Sequence, residues 1–428
     1  MRNNVICVNL WGKEICRLEW IGGYRERFGK IGSKVSFNPQ YSACGYNLDP
    51  LGIYSTENYL VRQGLSDLCR AKDYEGLPRF LSGSLPDDWG NKVFAAWKKK
   101  YGLKASDVSS VDKLSFIGSR GMGALEFVPQ SYSSADDLSV ELGELYDLAL
   151  QIEKSRGELS LELTDNPGLN DLMAVGMSAG GQHPKAIVAI DWKNGKIKSG
   201  QTMLPESYTY YILKFRESGG WPGPEIEYAY YKMASSCGID MMPSRLFEIS
   251  GANHFLTERF DRVAGEKVHM ATLNALCGET ERYEDVFTAC RLLKLPQKDI
   301  NQLFRRVVFN YLSGVCDDHD RNISFTMDKS GTWRLSPAYD VTFTVNFANP
   351  LRGTRHALSV SEDNTDLSMS QLLTLAEEND VIGARKIIED VKDAVGASDD
   401  FSLQAGIPEF TSRLIKDHIS SQLAAFDR

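Results

Sequence analysis

The stretch Asp317-Asp-His-Asp-Arg-Asn322 constrains this chain more than any other feature, because of what flanks it. Upstream, Ile300, Leu303, Val307 and Tyr311 recur at helical spacing and the pattern stops near Gly314, so a helix is expected to end there. Downstream, Ile323, Phe325 and Met327 alternate as a strand, Asp328-Lys-Ser-Gly331 makes a turn, and Trp333 and Leu335 alternate on a return strand. A hairpin brings its two ends together. Asp340, in Ser336-Pro-Ala-Tyr-Asp340, is therefore expected beside Asn322 although the two are far apart in sequence. Stretches rich in Asp and Asn between a helix and a strand are usually solvated turns, and it is the hairpin that sets this one apart.

An Asp followed by an Asn five residues on, with a second Asp delivered by a hairpin, suits phosphoryl transfer in kinase-like folds. Mg²⁺ takes hard oxygen ligands and keeps several waters and phosphate oxygens, so Asn322 and Asp340 suffice as its protein ligands. Asp317 is left to accept or orient the proton of the attacking hydroxyl. His319 is expected to brace the loop by bonding backbone, and it is grouped with the nucleotide-facing residues. The other histidines have no ligand spacing with it, which disfavours a zinc site.

A triphosphate needs donors, and these are sought upstream. Val175-Gly-Met-Ser-Ala-Gly-Gly-Gln-His-Pro-Lys185 is glycine-rich, so Ser178, Ala179, Gly180, Gly181 and Gln182 are candidates to bring backbone N–H groups to phosphate, with Lys185 adding charge. It is neither a Walker A loop nor a G-x-G-x-x-G loop. Lys214 stands in the apolar strand Tyr210-Tyr-Ile-Leu-Lys-Phe215, where a lysine must snorkel to water or meet an anion such as the α- and β-phosphates. Glu227, in the first turns of the next helix, either pairs with Lys214 or favours the helix dipole.

Composition limits the alternatives. There are 57 Asp and Glu against 48 Lys and Arg, a net charge of −9 that gives no general attraction to nucleic acid or anionic lipid. No run approaches the roughly 18 apolar residues of a membrane span. The first ten residues lack a long apolar segment, and the eight cysteines include no Cys-x-x-Cys pair. A cytoplasmic protein with reduced thiols is expected. The 428 residues divide by pattern into an α/β region, 1–132, a β-rich small lobe, 133–260, and a helical lobe, 261–428, which ends in three amphipathic stretches after Met369.

With the glycine-rich loop, Lys214, Asp317, Asn322 and Asp340 in this order, the chain resembles the HipA family of bacterial toxin serine/threonine kinases. The likeness extends to Phe80-Leu-Ser-Gly-Ser-Leu-Pro-Asp87, to Ile117-Gly118 with Gly121-Met-Gly-Ala-Leu125, to Thr257-Glu-Arg-Phe-Asp-Arg262, and to Leu335-Ser-Pro-Ala-Tyr-Asp-Val341. It implies an α+β, protein-kinase-like bilobal fold with an added amino-terminal α/β subdomain and a helical carboxy-terminal lobe, using ATP and Mg²⁺. It also implies that the backbone from Glu258 to Phe260 meets adenine and that Ser178 is an autophosphorylation site. The partners it implies are a helix-turn-helix, HipB-like antitoxin, operator DNA reached only through that antitoxin, and a protein substrate, aminoacyl-tRNA synthetases being among the family's known targets. Gly181 and His183-Pro184 fill loop positions that vary or are bulkier in other members.

Two other classes stay open at this point. D-x-H-x-x-N also resembles the catalytic loop of phosphoinositide kinases, so a small-molecule or lipid kinase is the second reading. The third is a non-enzymatic co-repressor that clamps an antitoxin.

Overall fold

The computed structural model describes residues 4–22, 25–26, 29–40, 46–52, 66–70, 74–100, 102–104, 108–131, 141–154, 171–172, 176, 181–346 and 353–426. They form two compact units: 1–220 with 247–271 and 327–331, and 221–246 with 272–326 and 332–428. Residues 1–132 and most of 133–260 thus fall together in the first unit, while 221–246 belong to the second.

The first unit begins with β1 (Val5–Leu10) and β2 (Lys13–Trp20), joined at Trp11-Gly12, where both residues take positive φ. With β3 (Arg25–Glu26), β4 (Gly29–Phe37), β5 (Ser66–Arg70) and β6 (Leu125–Val128) they make a sheet of order β3-β4-β2-β1-β6, with β5 on β4. Ile6, Val8 and Leu10 alternate inward on β1, the period-2 pattern of a half-buried strand. Between β5 and β6 run α1 (Arg79–Ser82), α2 (Asp88–Lys100) and α3 (Ser110–Ile117). Ser109 starts α3 with a capping box, its Oγ accepting from the Asp112 N–H while the Asp112 carboxylate accepts from the Ser109 N–H.

After α4 (Leu142–Lys154), a second sheet is built from β7 (Lys185–Asp191), β8 (Lys196–Ser199), β9 (Thr209–Lys214) and, beyond α5 (Gly223–Ser236), β10 (Ser244–Ile249) and β11 (Ala252–Glu258). The order is β10-β11-β9-β7-β8. Every residue of β7 is buried, which is why it reads as a continuous apolar run rather than an alternating one. One core holds Trp89, Val93 and Phe94 of α2, Leu145 and Ile152 of α4, and Ala186, Val188 and Leu213 of the sheet. Each large side chain buried there contributes about 1.5–3 kcal/mol. Between residue 261 and the hairpin at 323–335 the sequence suggests helices, yet three short strands come first: β12 (Arg262–Val263), β13 (Glu266–Lys267) and β14 (His269–Thr272).

The second unit holds α5, α6 (Leu273–Cys277), α7 (Tyr283–Leu292) and α8 (Gln297–Ser313), then β15 (Ser324–Met327) up to residue 326 and β16 (Trp333–Leu335). α8 starts after Pro296 and buries Ile300, Leu303, Val307 and Tyr311, the stripe expected of it. Four helices close the chain where three stretches are expected: α9 (Met369–Glu378), α10 (Ala384–Gly396), α11 (Ser398–Ala405) and α12 (Glu409–Phe426). Among the described residues no helix is long and apolar enough to cross a membrane.

Candidate functional site

The acidic loop is aimed by the end of α8. Gly314 takes a left-handed conformation at φ 76°, and its N–H caps the Asn310 carbonyl at 3.1 Å. A Cβ at Gly314 would also meet His418 and Phe343 at under 3 Å, so glycine is required both by the turn and by the space. The chain then runs with alternate side chains out and in. Asp317 is 59% exposed and His319 39%, whereas Asp318 and Asp320 are buried.

Each inward carboxylate is met by donors. Asp318 accepts from the Tyr283 hydroxyl at 2.7 Å, the Ala357 N–H at 2.8 Å and His356 Nδ1 at 3.0 Å. Asp320 accepts from Asn274 Nδ2 at 2.9 Å and the Thr280 N–H at 3.1 Å. The backbone is held as well: the Thr344 hydroxyl accepts from the N–H groups of Cys316 and Asp317 at 2.7 and 3.0 Å. His319 Nδ1 accepts from the Arg321 N–H at 3.2 Å, so its proton sits on Nε2, which faces Asp317 Oδ1 at 3.7 Å. The Asn322 amide nitrogen donates to the Asp317 carbonyl at 2.8 Å, which turns its oxygen the other way.

The hairpin returns the chain as its pattern requires. Leu335 N–H and the Arg334 guanidinium bond Asp299 on α8, Arg306 donates to the Ser336 carbonyl, and the Ala338 N–H donates to the Asp240 carbonyl at 2.8 Å. Tyr339 donates to the Arg321 carbonyl at 2.8 Å and thereby ties the far end of the hairpin to the acidic loop. Asp340 follows at φ 57°, a left-handed conformation that Asp tolerates better than most residues. Asp317, Asn322 and Asp340 line one cavity of about 30 Å³, with Arg306, Asn310 and Tyr339 on its walls. Burial lowers the Arg306 guanidinium to about 10, which still leaves it charged at neutral pH opposite the carboxylates.

Two carboxylates and an amide oxygen are a hard-oxygen donor set, and the cavity has room for roughly one ion or water. Among the described residues no group of three or more His, Cys, Asp or Glu forms a metal cluster. An aspartate carboxylate and an amide oxygen are donors that suit Mg²⁺, which keeps waters and phosphate oxygens in its shell.

The other sequence candidates lie in the first unit. Ser178, Ala179 and Gly180 fall outside the described residues. Gly181 has φ 94°, and a Cβ there would stand 2.8 Å from Lys185 Nζ, so the lysine lies against the glycine. Gln182 is exposed, while Lys185 is buried, with its Nζ 3.6 Å from Asp87. Lys185 and Lys214 are direct partners across β7 and β9. Glu258 ends β11, where it accepts from Tyr211 at 3.2 Å, and Phe260 is half-buried. Glu227 belongs to the second unit and Lys214 to the first.

Sequence reasoning missed several residues. Trp89 donates from its indole to the Lys185 carbonyl at 3.0 Å and from its backbone to the Gly181 carbonyl at 3.3 Å, so the start of α2 braces both ends of this loop segment. Asp87, whose carboxyl burial raises against the pull of Lys185, stands beside it. The only signal for these was the family likeness of the segment ending at Asp87. Thr344, Tyr283 and His356 carry no local signal, because they reach the acidic loop from distant parts of the chain.

Residues 177–398 match the HipA-like C-terminal domain and residues 55–128 match the HipA N-terminal domain. The chain belongs to the HipA family. A HipA chain from the Shewanella oneidensis MR-1 complex of HipA, HipB and operator DNA shares the fold, with a TM-score of 0.63, coverage of 98% of this chain and 96% of that one, and 15% identity. "Putative kinase Y4mE" of Sinorhizobium fredii is 27% identical over 289 residues, 63% of this chain and 64% of the relative. A "Putative kinase" of Haemophilus influenzae is 26% identical over 190 residues, 39% of this chain. The matches thus span 64% and 52% of the lengths of these relatives. The mixed α+β fold expected from the HipA resemblance is the fold observed.

Proposed function

We propose that this HipA-family chain is an ATP- and Mg²⁺-dependent serine/threonine protein kinase of toxin type that transfers the γ-phosphate to a protein hydroxyl. The observation that carries the reading is the shared cavity of Asp317, Asn322 and Asp340, residues from the two ends of a hairpin. Asp317 is the residue that receives or orients the hydroxyl proton, for it is exposed while its backbone is fixed by Thr344. Asn322 and Asp340 would hold Mg²⁺, which when bound neutralises charge on the phosphates. Asn322 is oriented for this by its bond to the Asp317 carbonyl, and His319 braces the loop beside it.

Lys185 and Lys214 supply paired positive charge for the α- and β-phosphates, with the backbone of Ser178 to Gln182 as further donors. Glu258 and Phe260 flank the adenine-binding backbone. Ser178 is the proposed autophosphorylation site, where a phosphate would add about two negative charges beside a site built for triphosphate. On this reading 1–132 is a subdomain added to a small lobe, 133–260, and a large lobe, 261–428. A HipB-like antitoxin, DNA reached through it, a protein target such as an aminoacyl-tRNA synthetase, and a cytoplasmic location complete the proposal. The Shewanella protein's capture with HipB and operator DNA supports the antitoxin part.

The test is to incubate the purified protein and a cell lysate with γ-labelled ATP and to map phosphosites. Wild type should label a protein Ser or Thr and, within its own chain, Ser178; Asp317→Ala and Asp340→Ala should label neither. A labelled metabolite with no labelled protein would replace this reading with a small-molecule or lipid kinase. Wild-type labelling by either variant would remove the assigned roles.

A further inference from the structure

The loop that carries Asp317 is held from behind by a group that phosphate transfer itself does not use. His356 is 4% exposed, and its Nδ1 lies 3.0 Å from the Asp318 carboxylate. Its ring stacks on Tyr311 of α8 at 3.8 Å between centroids and 12° between planes. Its Nε2 faces Cys316 Sγ at 4.0 Å. Tyr283 of α7 reaches the same Asp318 oxygen, and Asn310 of α8 donates to Tyr283 at 3.0 Å. From α12 comes His418, which burial first and then the neighbouring charge of His356 lower to about 4, so it is neutral near pH 7; Asp366 acts on it in the opposite sense.

Resting on the kinase reading above, we infer that His356 is a positioning residue for phosphate transfer: clamped to Asp318, it holds the loop in the form that presents Asp317 and Asn322 to the cavity. Successive side chains of the loop point in opposite directions, so whatever fixes Asp318 inward fixes Asp317 outward. Asp318 is a buried carboxylate, and His356 is the cation in contact with it; Tyr283 and the Ala357 N–H are neutral donors. Burial works against a charged ring at His356, but Asp318 outweighs it and lifts the ring to about 9, so the clamp is an ion pair at neutral pH. Without that cation, Asp318 would keep only neutral donors in a site that excludes water, and the loop would lose its reason to stay closed. A misplacement of Asp317 by about 1 Å would cost on the order of a hundredfold in rate.

The experiment compares wild type with His356→Gln, which can still donate a hydrogen bond but carries no charge. Rates are taken at saturating ATP from pH 7 to 10, and Mg²⁺ with a non-hydrolysable ATP analogue is titrated by calorimetry. The expected result is a kcat lower by about a hundredfold with a Kd within about threefold of wild type. The wild-type kcat should also decline through about pH 9, a limb that the variant lacks. A variant that keeps wild-type kcat and the same alkaline limb, losing only melting temperature, overturns the inference and leaves the kinase reading intact. If His356→Gln does not fold, the wild-type profile is paired with an NMR titration of the imidazole. A flat kcat to pH 10, or a ring that titrates near 6.5, overturns it equally. Wild-type protein that labels nothing from γ-labelled ATP overturns the kinase reading and this role with it.

Discussion

Asp261 of the first unit and Asp318 of the second are both buried carboxylates met by cations, and the two clusters are built differently. In the first, Asp261 accepts two bonds from Arg259 and one from Arg262, each at 2.8–2.9 Å, and one from the Gly123 N–H at 2.6 Å, while Arg262 also bonds the carbonyls of Gly121 and Gly123. Burial alone would raise the Asp261 carboxyl, but the two guanidiniums outweigh it and hold it at about 2. In the second, Asp318 has one cation, and that cation is a histidine. The first cluster is permanent at any pH the protein meets, whereas the second can lose its charge. A structural tie is built from arginine, and the tie behind Asp317 from a group that titrates.

The largest effect is expected at the residues proposed to receive the hydroxyl proton and to hold the metal. Asp317→Asn or Asp340→Asn should cut phosphate transfer by about 10³-fold or more, while Asp317→Asn leaves stability within about 0.5 kcal/mol, as paired activity assays and denaturant melts would report. Asp261→Ala reverses that balance. It strands two buried guanidiniums and should cost about 3–5 kcal/mol in a urea melt of the first unit, and an unaltered melt would erase the distinction between the two clusters. Lys214→Met removes one of the two facing lysines and should weaken binding of an ATP analogue by about tenfold in calorimetry, with little change in melting.

The smallest effect is a pH dependence of opposite sign in the two clusters. His356 is raised from 6.5 to about 9, so its contribution is fully present below about pH 6.5 and is lost as pH rises through about 9. Asp261 is depressed from 3.8 to about 2, so its contribution is present above about pH 4 and is lost only as pH falls through about 2. Melting followed from pH 7 to 9.5 should therefore fall by a few degrees in wild type and stay flatter in His356→Gln.

What the sequence made legible was local. The stop of α8 at Gly314, the alternation of Phe325 and Met327 and the turn at Asp328 to Gly331 are all short-range signals, and together they predicted that Asp340 returns toward Asn322. What it hid was long-range. Asp318 and Asp320 read as spacers in D-x-H-x-x-N, yet they are the buried anchors, and nothing near them in sequence points to His356 or Tyr283. Arg259 and Arg262 read only as part of the stretch Thr257 to Arg262 that carries the family likeness; Asp261 stands between them in sequence, but the Gly121 and Gly123 carbonyls that Arg262 bonds meet it only in the fold. The fourth carboxy-terminal helix, α11, escaped because it buries only Ser398, Ser402 and Ala405, leaving no apolar stripe to read.

The account's central claim is that Asn322 and Asp340 ligate a metal while Asp317 does not. A crystal structure with Mg²⁺ and a non-hydrolysable ATP analogue tests it directly. The predicted result is an ion about 2.1 Å from Asn322 Oδ1 and an Asp340 oxygen, with Asp317 free beside the γ-phosphate. An ion held elsewhere, or one bound by Asp317 in place of Asp340, would contradict it.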